Sequence, residues 1–288
     1  MTHSDTILIL DFGSQVTQLI ARKVRECGVY AEIHPFNISE DKIRALNPKG
    51  IILSGGPASV YADGAPHSTT AVFSLGVPVL GICYGLQLIA EQLGGTVNAS
   101  AKREFGRAYL EIDNHDDIFA NIPAQTQVWM SHGDSLTALP AGFHIIAHTE
   151  NAPICAIRNS EQRIWGLQFH PEVFHTTQGT DMLRNFAVTI CGAATDWNAG
   201  SFIKQQLDDI RAAVGDNEVI CALSGGVDST VAAVLVHKAI GDKLHCIHID
   251  TGLMRSGEST QIEQLFREHF SMSIDVIDGS ETFLSRLA

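Results

Sequence analysis

The sequence predicts an α/β protein: a doubly wound, mostly parallel sheet with added antiparallel strands, followed by a second parallel α/β module. Three observations lead there. Short, near-continuous apolar runs alternate with helical patterns from the first residues, as in a parallel sheet covered on both faces. Between about 105 and 170 the runs become short and alternating, the pattern of antiparallel strands. Beyond residue 195 the strand–helix alternation restarts.

Thr6 to Leu10 reads as the first strand, ending in Asp11-Phe12-Gly13. Val16, Leu19, Ile20, Val24 and Cys27 then recur at helical spacing, and Gly28 closes the helix. Tyr30 to Ile33, Gly50 to Leu53 and Val77 to Ile82 follow as strands, with a helix over Tyr84 to Leu93. The antiparallel set comprises Ala108 to Ile112, Gln125 to Met130, Phe143 to Ala147, Ile154 to Ile157 and Arg163 to Phe169, and a helix over Thr180 to Ile190 closes the unit. Cys191 to Thr195 is small and polar enough for a linker, so the boundary is set between residues 1–194 and residues 195–288. In the second module Ser201 is a candidate N-cap for a helix stopped at Gly215. Strands over Glu218 to Leu223, Leu244 to Asp250 and Ser273 to Ile277 then enclose helices over Asp228 to Ile240 and Glu258 to Phe270. The module stops as another helix begins, so it reads as cut short, with a compact three-stranded domain as the alternative.

Composition narrows the function classes. With 45% hydrophobic and 18% charged residues the chain is globular and not disordered. A net charge of −13 disfavours nucleic acid as a partner, because phosphate backbones are gathered by cationic surfaces. No apolar run is long enough to span a membrane, and the start lacks the basic region of a signal peptide, so a cytoplasmic protein is expected. Six dispersed cysteines without a CxxC pair fit reduced thiols better than disulfides or a zinc cluster.

The strand Val77 to Ile82 runs into Gly81-Ile82-Cys83-Tyr84-Gly85 and then a helix, the cysteine counterpart of a nucleophile elbow. Small neighbours permit the tight turn, and the sulfur at a helix N-terminus is expected to be thiolate-prone. A buried structural cysteine is the other reading of this segment taken alone. His170 and Glu172, two apart on a predicted strand, share a face, so the carboxylate can orient the imidazole toward a nucleophile. Together Cys83, His170 and Glu172 follow the logic of a catalytic triad. Ser54-Gly55-Gly56-Pro57 ends another parallel strand, where amides of Gly55 or Gly56 with that of Tyr84 could cradle an oxyanion; a plain glycine turn is the alternative. Ser131-His132-Gly133-Asp134 reads as a polar turn that either lines the substrate pocket or lies on the surface. Gln87 is counted with Ser131, His132 and Asp134 among the candidates for the substrate pocket.

In the second module Ser224, Gly225, Gly226, Val227, Asp228, Ser229 and Thr230 sit between strand and helix, where successive amides at a helix N-terminus make an anion site. It is a phosphate loop without the Walker lysine; an ordinary Gly-Gly turn is the alternative. In His245-Cys246-Ile247-His248, alternation puts Cys246 and His248 on one face and His245 on the other, which fits strand packing better than a metal site.

Leu80 to Gln87 together with Phe169-His170-Pro171-Glu172 resembles the class-I glutamine amidotransferases, and Ser224 to Thr230 resembles the pyrophosphate loop of the ATP pyrophosphatases. The two in this order, with the opening Ile9-Leu10-Asp11-Phe12-Gly13-Ser14-Gln15, resemble the glutamine-hydrolysing GMP synthase family over essentially the whole chain. The resemblance implies that glutamine, ATP and XMP are the substrates and that GMP, AMP, pyrophosphate and glutamate are the products. It further implies Cys83 as nucleophile, His170 as base and Glu172 as its orienter, with ATP and Mg²⁺ held at Ser224 to Thr230 and Asp250 in a nucleotide-contacting turn. Val16 stands where the family usually has Tyr, and Thr251 where Asn is usual. The family continues through the rest of the ATP pyrophosphatase domain and a C-terminal region that supports a homodimer and XMP binding, so this fragment is expected to act at most as a glutaminase. Two other readings stand beside it: an amidotransferase serving another adenylating partner, and a nucleotide-binding regulatory module with a silent triad.

Overall fold

A computed structural model describes residues 5–287, which form two compact units, residues 5–197 and residues 198–287. Among the described residues the first unit is built on a nine-stranded sheet. Its parallel half comprises β1 (Thr6–Asp11), β2 (Tyr30–Pro35), β3 (Gly50–Leu53), β4 (Val79–Ile82) and β9 (Ile164–Leu167), in the order β2-β1-β3-β4-β9. The antiparallel half continues from β9 through β8 (Ala156–Asn159), β7 (His144–His148), β5 (Thr96–Ile112) and β6 (Gln125–Ala138). Helices α1 (Thr17–Glu26), α2 (Glu40–Leu46), α3 (Tyr84–Gln92) and α4 (Gly179–Arg184) complete the unit, the last running on into a wider π turn over Asn185–Ile190. Two cores form, one on each face of the sheet: Ile7, Ile9, Ile52, Leu80 and Ile82 project into one, Leu8, Leu10, Ile51, Leu53 and Val79 into the other. This is the two-sided burial that the continuous apolar runs predict.

Two local expectations are corrected, and one element forms where the sequence raises none. The Cys191 to Thr195 stretch is docked instead of spanning free: Cys191 and Ala193 are buried, Ala194 N–H donates to Asp5 Oδ2 (2.9 Å), and Trp197 N–H donates to the Gly28 carbonyl (2.9 Å). The next helix, α5 (Ala199–Val214), is capped by Asn198, whose side chain accepts the Ser201 N–H, so Ser201 is the residue capped and not the cap. And α2, for which the sequence carries no clear signal, forms across a seven-residue amphipathic stretch whose single buried residue is Ile43, too little periodicity to detect.

The second unit pairs β10 (Val219–Leu223), β11 (Leu244–Asp250) and β12 (Ile274–Asp278) in parallel, with β11 central. Its helices α6 (Val227–Ile240), α7 (Glu258–Phe270) and α8 (Ser280–Leu287) join α5. Its core is small, gathered around Leu223, Ala233, Cys246, Ile262 and Phe266, while Ile220, Ile249 and Ile277 on the other face of the sheet stay exposed. Among the described residues no helix is long and apolar enough to cross a membrane.

Candidate active site

The carboxyl ends of β1, β3, β4 and β9 converge on one cleft of about 310 Å³, lined by Ser14, Gln15, Gly56, Cys83, Trp129, Ser131 and His170 among others. That volume is at the small end of ligand clefts, roughly 300–1,000 Å³, and suits a metabolite the size of an amino acid.

Cys83 occupies the turn from β4 to α3 with φ +52° and ψ −103°, a conformation a side-chain-bearing residue adopts only when its surroundings enforce it. Here they do. The Cys83 N–H donates to the Leu167 carbonyl (2.7 Å) and the Gly85 N–H to the Ser54 carbonyl (3.1 Å), pinning the elbow between β9 and β3. A Cβ on Gly85 would lie 2.3 Å from the Leu53 carbonyl oxygen, so glycine alone lets α3 start this close to β3. Every residue from Tyr84 to Ala90 is buried, which holds the helix rigidly behind the sulfur.

His170 and Glu172 are not on a strand: β9 ends at Leu167, and both lie in the connection that follows. The expected pairing exists for another reason. Pro171 turns the chain, the His170 N–H donates to the Trp129 carbonyl (3.0 Å), and Thr176 Oγ1 donates back to the His170 carbonyl (2.5 Å). The imidazole Nδ1 thereby meets Glu172 Oε1 at 2.8 Å, with both side chains almost wholly buried. A carboxylate at Nδ1 fixes the proton there and turns Nε2 toward the sulfur. Burial pushes the imidazole toward its neutral form, but hydrogen bonds with Cys83 and Glu172 outweigh it and lift its pKa to about 10.

Gly55 sits against this pair: a Cβ there would stand 3.0 Å from His170 Cε1 and 3.8 Å from the Cys83 Cβ. The chain at Gly55-Gly56 can therefore come close to the reacting atoms, as an oxyanion-binding backbone must. Tyr84 begins α3, where N–H groups lack intrahelical acceptors.

Ser131 to Asp134 is a correction. These residues do not form a turn; they lie inside the 14-residue strand β6, where His132 pairs with Glu104 and Ser131 with Phe105 of β5. Their polarity and Gly133 disguise the strand, and the ladder slips beside them, between Ala99 and Glu104. They nonetheless line a second pocket of about 380 Å³ that shares Gly56, Cys83 and Ser131 with the first and adds Gln87. Gln87 Nε2 donates to the Asp134 carbonyl (3.1 Å), and the Asp134 carboxylate accepts from Ser59 Oγ (2.5 Å) and Tyr61 OH (2.7 Å), fastening the 55–61 loop over the pocket. His132 is buried, its Nδ1 bonded to the Asp134 carbonyl (3.0 Å), and burial pulls its pKa down against the opposing carboxylate of Glu104. Gln168 and Trp129 are not among the expected site residues, and Ser14 and Gln15 enter the sequence reading only within the opening run Ile9 to Gln15. For Ser14, Gln15 and Gln168 the signal available is position, since they follow the carboxyl ends of β1 and β9, whereas Trp129 lies inside β6 and carries none.

In the second unit Ser224 to Thr230 forms a turn from β10 into α6, with Gly225 at φ +82°. Ser229 and Thr230 hydroxyls donate to the Gly226 carbonyl (3.1 and 2.9 Å), Ser224 and Ser229 hydroxyls meet at 3.1 Å, and the Gly226 N–H donates to Ser224 Oγ (3.3 Å). The turn is exposed at the start of a 14-residue helix, an arrangement suited to phosphate oxygens. Asp250 ends the neighbouring strand; hydrogen bonds from Ser259 Oγ (2.7 Å) and the Gly252 N–H (2.9 Å) hold its carboxyl below the usual range. His248 is buried, with Nδ1 on the Leu223 carbonyl (2.9 Å) and Nε2 on Ser259 Oγ (3.1 Å), so it links Asp250 to the residue that precedes the loop. His245 faces outward, as alternation requires. Among the described residues no three His, Cys, Asp or Glu side chains are disposed to hold a metal ion, and all six cysteines are free.

Residues 8–190 match the family model of class-I glutamine amidotransferases, and residues 199–285 match that of NAD synthase. The chain is 51% identical over 283 residues to the glutamine-hydrolysing GMP synthases of Bacillus cereus and Bacillus anthracis, an alignment covering 98% of this chain and 55% of those proteins. It thus spans about half the length of the curated relatives it matches. Among solved structures it is similar to a protein from Thermoplasma acidophilum assigned as one component of a GMP synthase (TM-score 0.61, 30% identity, 72% of this chain and 99% of that one). A glutamine amidotransferase from Thermotoga maritima shares the fold (TM-score 0.50, 18% identity, 84% of this chain and 92% of that one).

Proposed function

The chain belongs to the class-I glutamine amidotransferases, and from that premise we propose that it hydrolyses glutamine at Cys83, as the ammonia-supplying part of a GMP synthase. The observation that carries the reading is the buried His170–Glu172 pair, 2.8 Å apart and directed at a cysteine on a strained elbow.

Glutamine enters with its side-chain amide at the sulfur and its amino-acid end toward Gln87, Ser131, His132 and Asp134. With the proton of the Cys83 thiol already carried by His170, as the raised imidazole pKa favours, Sγ attacks the amide carbon. The resulting oxyanion is taken up by the N–H of Tyr84 and the amides at Gly55 or Gly56. His170 passes the proton to the amide nitrogen, the C–N bond breaks, ammonia leaves and a thioester remains on Cys83. His170 then draws a proton from water, the hydroxide attacks the thioester carbon, and glutamate departs as the sulfur is reprotonated. Glu172 keeps the imidazole proton at Nδ1 throughout.

Ammonia becomes useful where an acceptor is activated. In this reading the second unit binds ATP, the acceptor is XMP adenylated at its C2 oxygen, and AMP and pyrophosphate are released with GMP. Support comes from the exposed amide turn at Ser224 to Thr230, whose donors fit phosphate and whose lack of lysine disfavours terminal phosphoryl transfer. Asp228 and Asp250 would offer hard oxygen donors to a Mg²⁺ ion bound with the nucleotide, which would neutralise phosphate charge. The protein works in the cytoplasm, and its longer form is a homodimer.

The test is glutamate release from glutamine by this chain, before and after alkylation of Cys83. Alkylation-sensitive release is expected; release that survives alkylation removes Cys83 from the mechanism. The NAD synthase match of residues 199–285 favours one second reading, an amidotransferase whose adenylated acceptor is another acid. Acceptor specificity of the longer protein decides between them.

A further inference from the structure

The sulfur of Cys83 has more polar company than a triad requires. Its S–H donates to the Ser131 carbonyl (3.5 Å), and the imidazole of His170 stands against it. A third group, Gln168 Nε2, points at Sγ from 3.9 Å. Sulfur is a weak, diffuse acceptor while protonated, and hydrogen bonds to it shorten and strengthen once it carries charge. The Ser131 carbonyl offers only lone pairs to such an anion, so it favours the thiol, whereas an amide N–H favours the thiolate.

Gln168 is placed with little freedom. It follows β9 directly, has no exposed surface, and its backbone N–H donates to the Cys155 carbonyl (2.8 Å). The Cys155 thiol is wholly buried and pushed up by that burial, so it remains a neutral neighbour. At the far end of the Gln168 amide, Oε1 is buried and meets no donor among the described residues. A buried carbonyl without a partner is unfavourable, and Leu or Met would fill the same space without it. An amide is retained here with one end unsatisfied and the other on the nucleophile.

We propose that Gln168 is a third partner of the nucleophile: its side-chain N–H holds the Cys83 sulfur in place for attack and stabilises it as it becomes negative. The inference deepens the glutaminase reading and rests on it, but its test is separate. Iodoacetamide alkylates only the thiolate, forming an S–C bond and releasing iodide. The rate at the Cys83 peptide can be followed by mass spectrometry across pH in the wild-type chain, Gln168→Met and Gln168→Glu. The Met variant removes the donor at constant length, and the Glu variant sets a negative charge beside the sulfur. At pH 7 alkylation is expected to fall about tenfold in the Met variant and further in the Glu variant, with the pH midpoint moving upward in both. A folded Met variant alkylated with the wild-type midpoint overturns the proposal.

Should both variants fail to fold, the wild-type chain still answers. The side-chain NH₂ resonances of Gln168 are expected to move with pH in step with Cys83 alkylation, and this movement is absent in Cys83→Ala. Resonances indifferent to that ionisation overturn the proposal. Glutamate release from the same samples separates the two claims. A shifted midpoint in a chain that releases no glutamate sinks the glutaminase reading and leaves the Gln168 contact standing. Normal release with an unmoved midpoint does the reverse.

Discussion

Two turns of the same local grammar, strand to glycine-flanked turn to helix, stand at the heart of the two units, and they do opposite things. At the β4–α3 turn the residue in the left-handed region is Cys83, so the turn aims a side chain. At the β10–α6 turn it is Gly225, so the turn presents backbone. The difference is paid for by packing. Behind Cys83, Tyr84 to Ala90 are all buried between β3, β4 and β9, enough to hold a strained cysteine. Behind Gly225, α6 has one fully buried residue, Ala233, and Val227 and Val231 are exposed. A side chain can be aimed to a fraction of an ångström only from a rigid base, while amides gathering a flexible polyanion need only be unobstructed.

The largest test of this contrast is Cys83→Ala. Glutamate release should fall by at least about a thousandfold, with far-UV circular dichroism unchanged, since the nucleophile is lost while alanine keeps the Cβ and adds no bulk at the elbow. Glu172→Gln keeps the shape but removes the charge that fixes Nδ1. A loss in kcat of about a hundredfold, with KM little altered, is expected, and equal effects on both would reassign Glu172 to substrate binding. In the second unit, Gly225→Ala forces a side chain into φ +82° and within 2.3 Å of Ile262 Cδ1. Affinity for a nucleoside triphosphate, measured by titration calorimetry, should fall about tenfold while Cys83 alkylation is untouched.

The smallest effect is on stability. His170 holds its proton to about pH 10 in the folded chain, against 6.5 for an unperturbed imidazole. Between those values the folded state binds the extra proton, so this stabilisation is complete below about pH 6.5 and is lost as pH rises through 10. The urea midpoint of the first unit should decline across that window, and Glu172→Gln should flatten the decline.

The two units also differ in how legible they are. Strands β3 and β11 and helix α7 fall on the expected residues, because their patterns, unbroken apolar in β3, alternating in β11 and helically spaced in α7, are written in neighbouring residues. The Cys83 elbow is visible for the same reason: small residues at fixed offsets are a local requirement. The His170–Glu172 pair is anticipated on faulty geometry, since the two-residue spacing of a strand is invoked where the chain turns at Pro171. Ser131 to Asp134 is misjudged because a polar stretch with a glycine looks like a turn until its partner strand is known.

Periodicity, the elbow and the glycine loop are written in neighbouring residues, and neighbouring residues suffice for secondary structure and for local chain reversals. Folding alone decided the rest: that β9 lies beside β4 and brings His170 to Cys83 across 87 residues of chain, that Asp134 ties down the 55–61 loop through Ser59 and Tyr61, and that Gln168 faces the sulfur. Those contacts depend on strand order and register, which are set by the mutual burial of distant apolar faces and leave no mark on any short stretch of sequence.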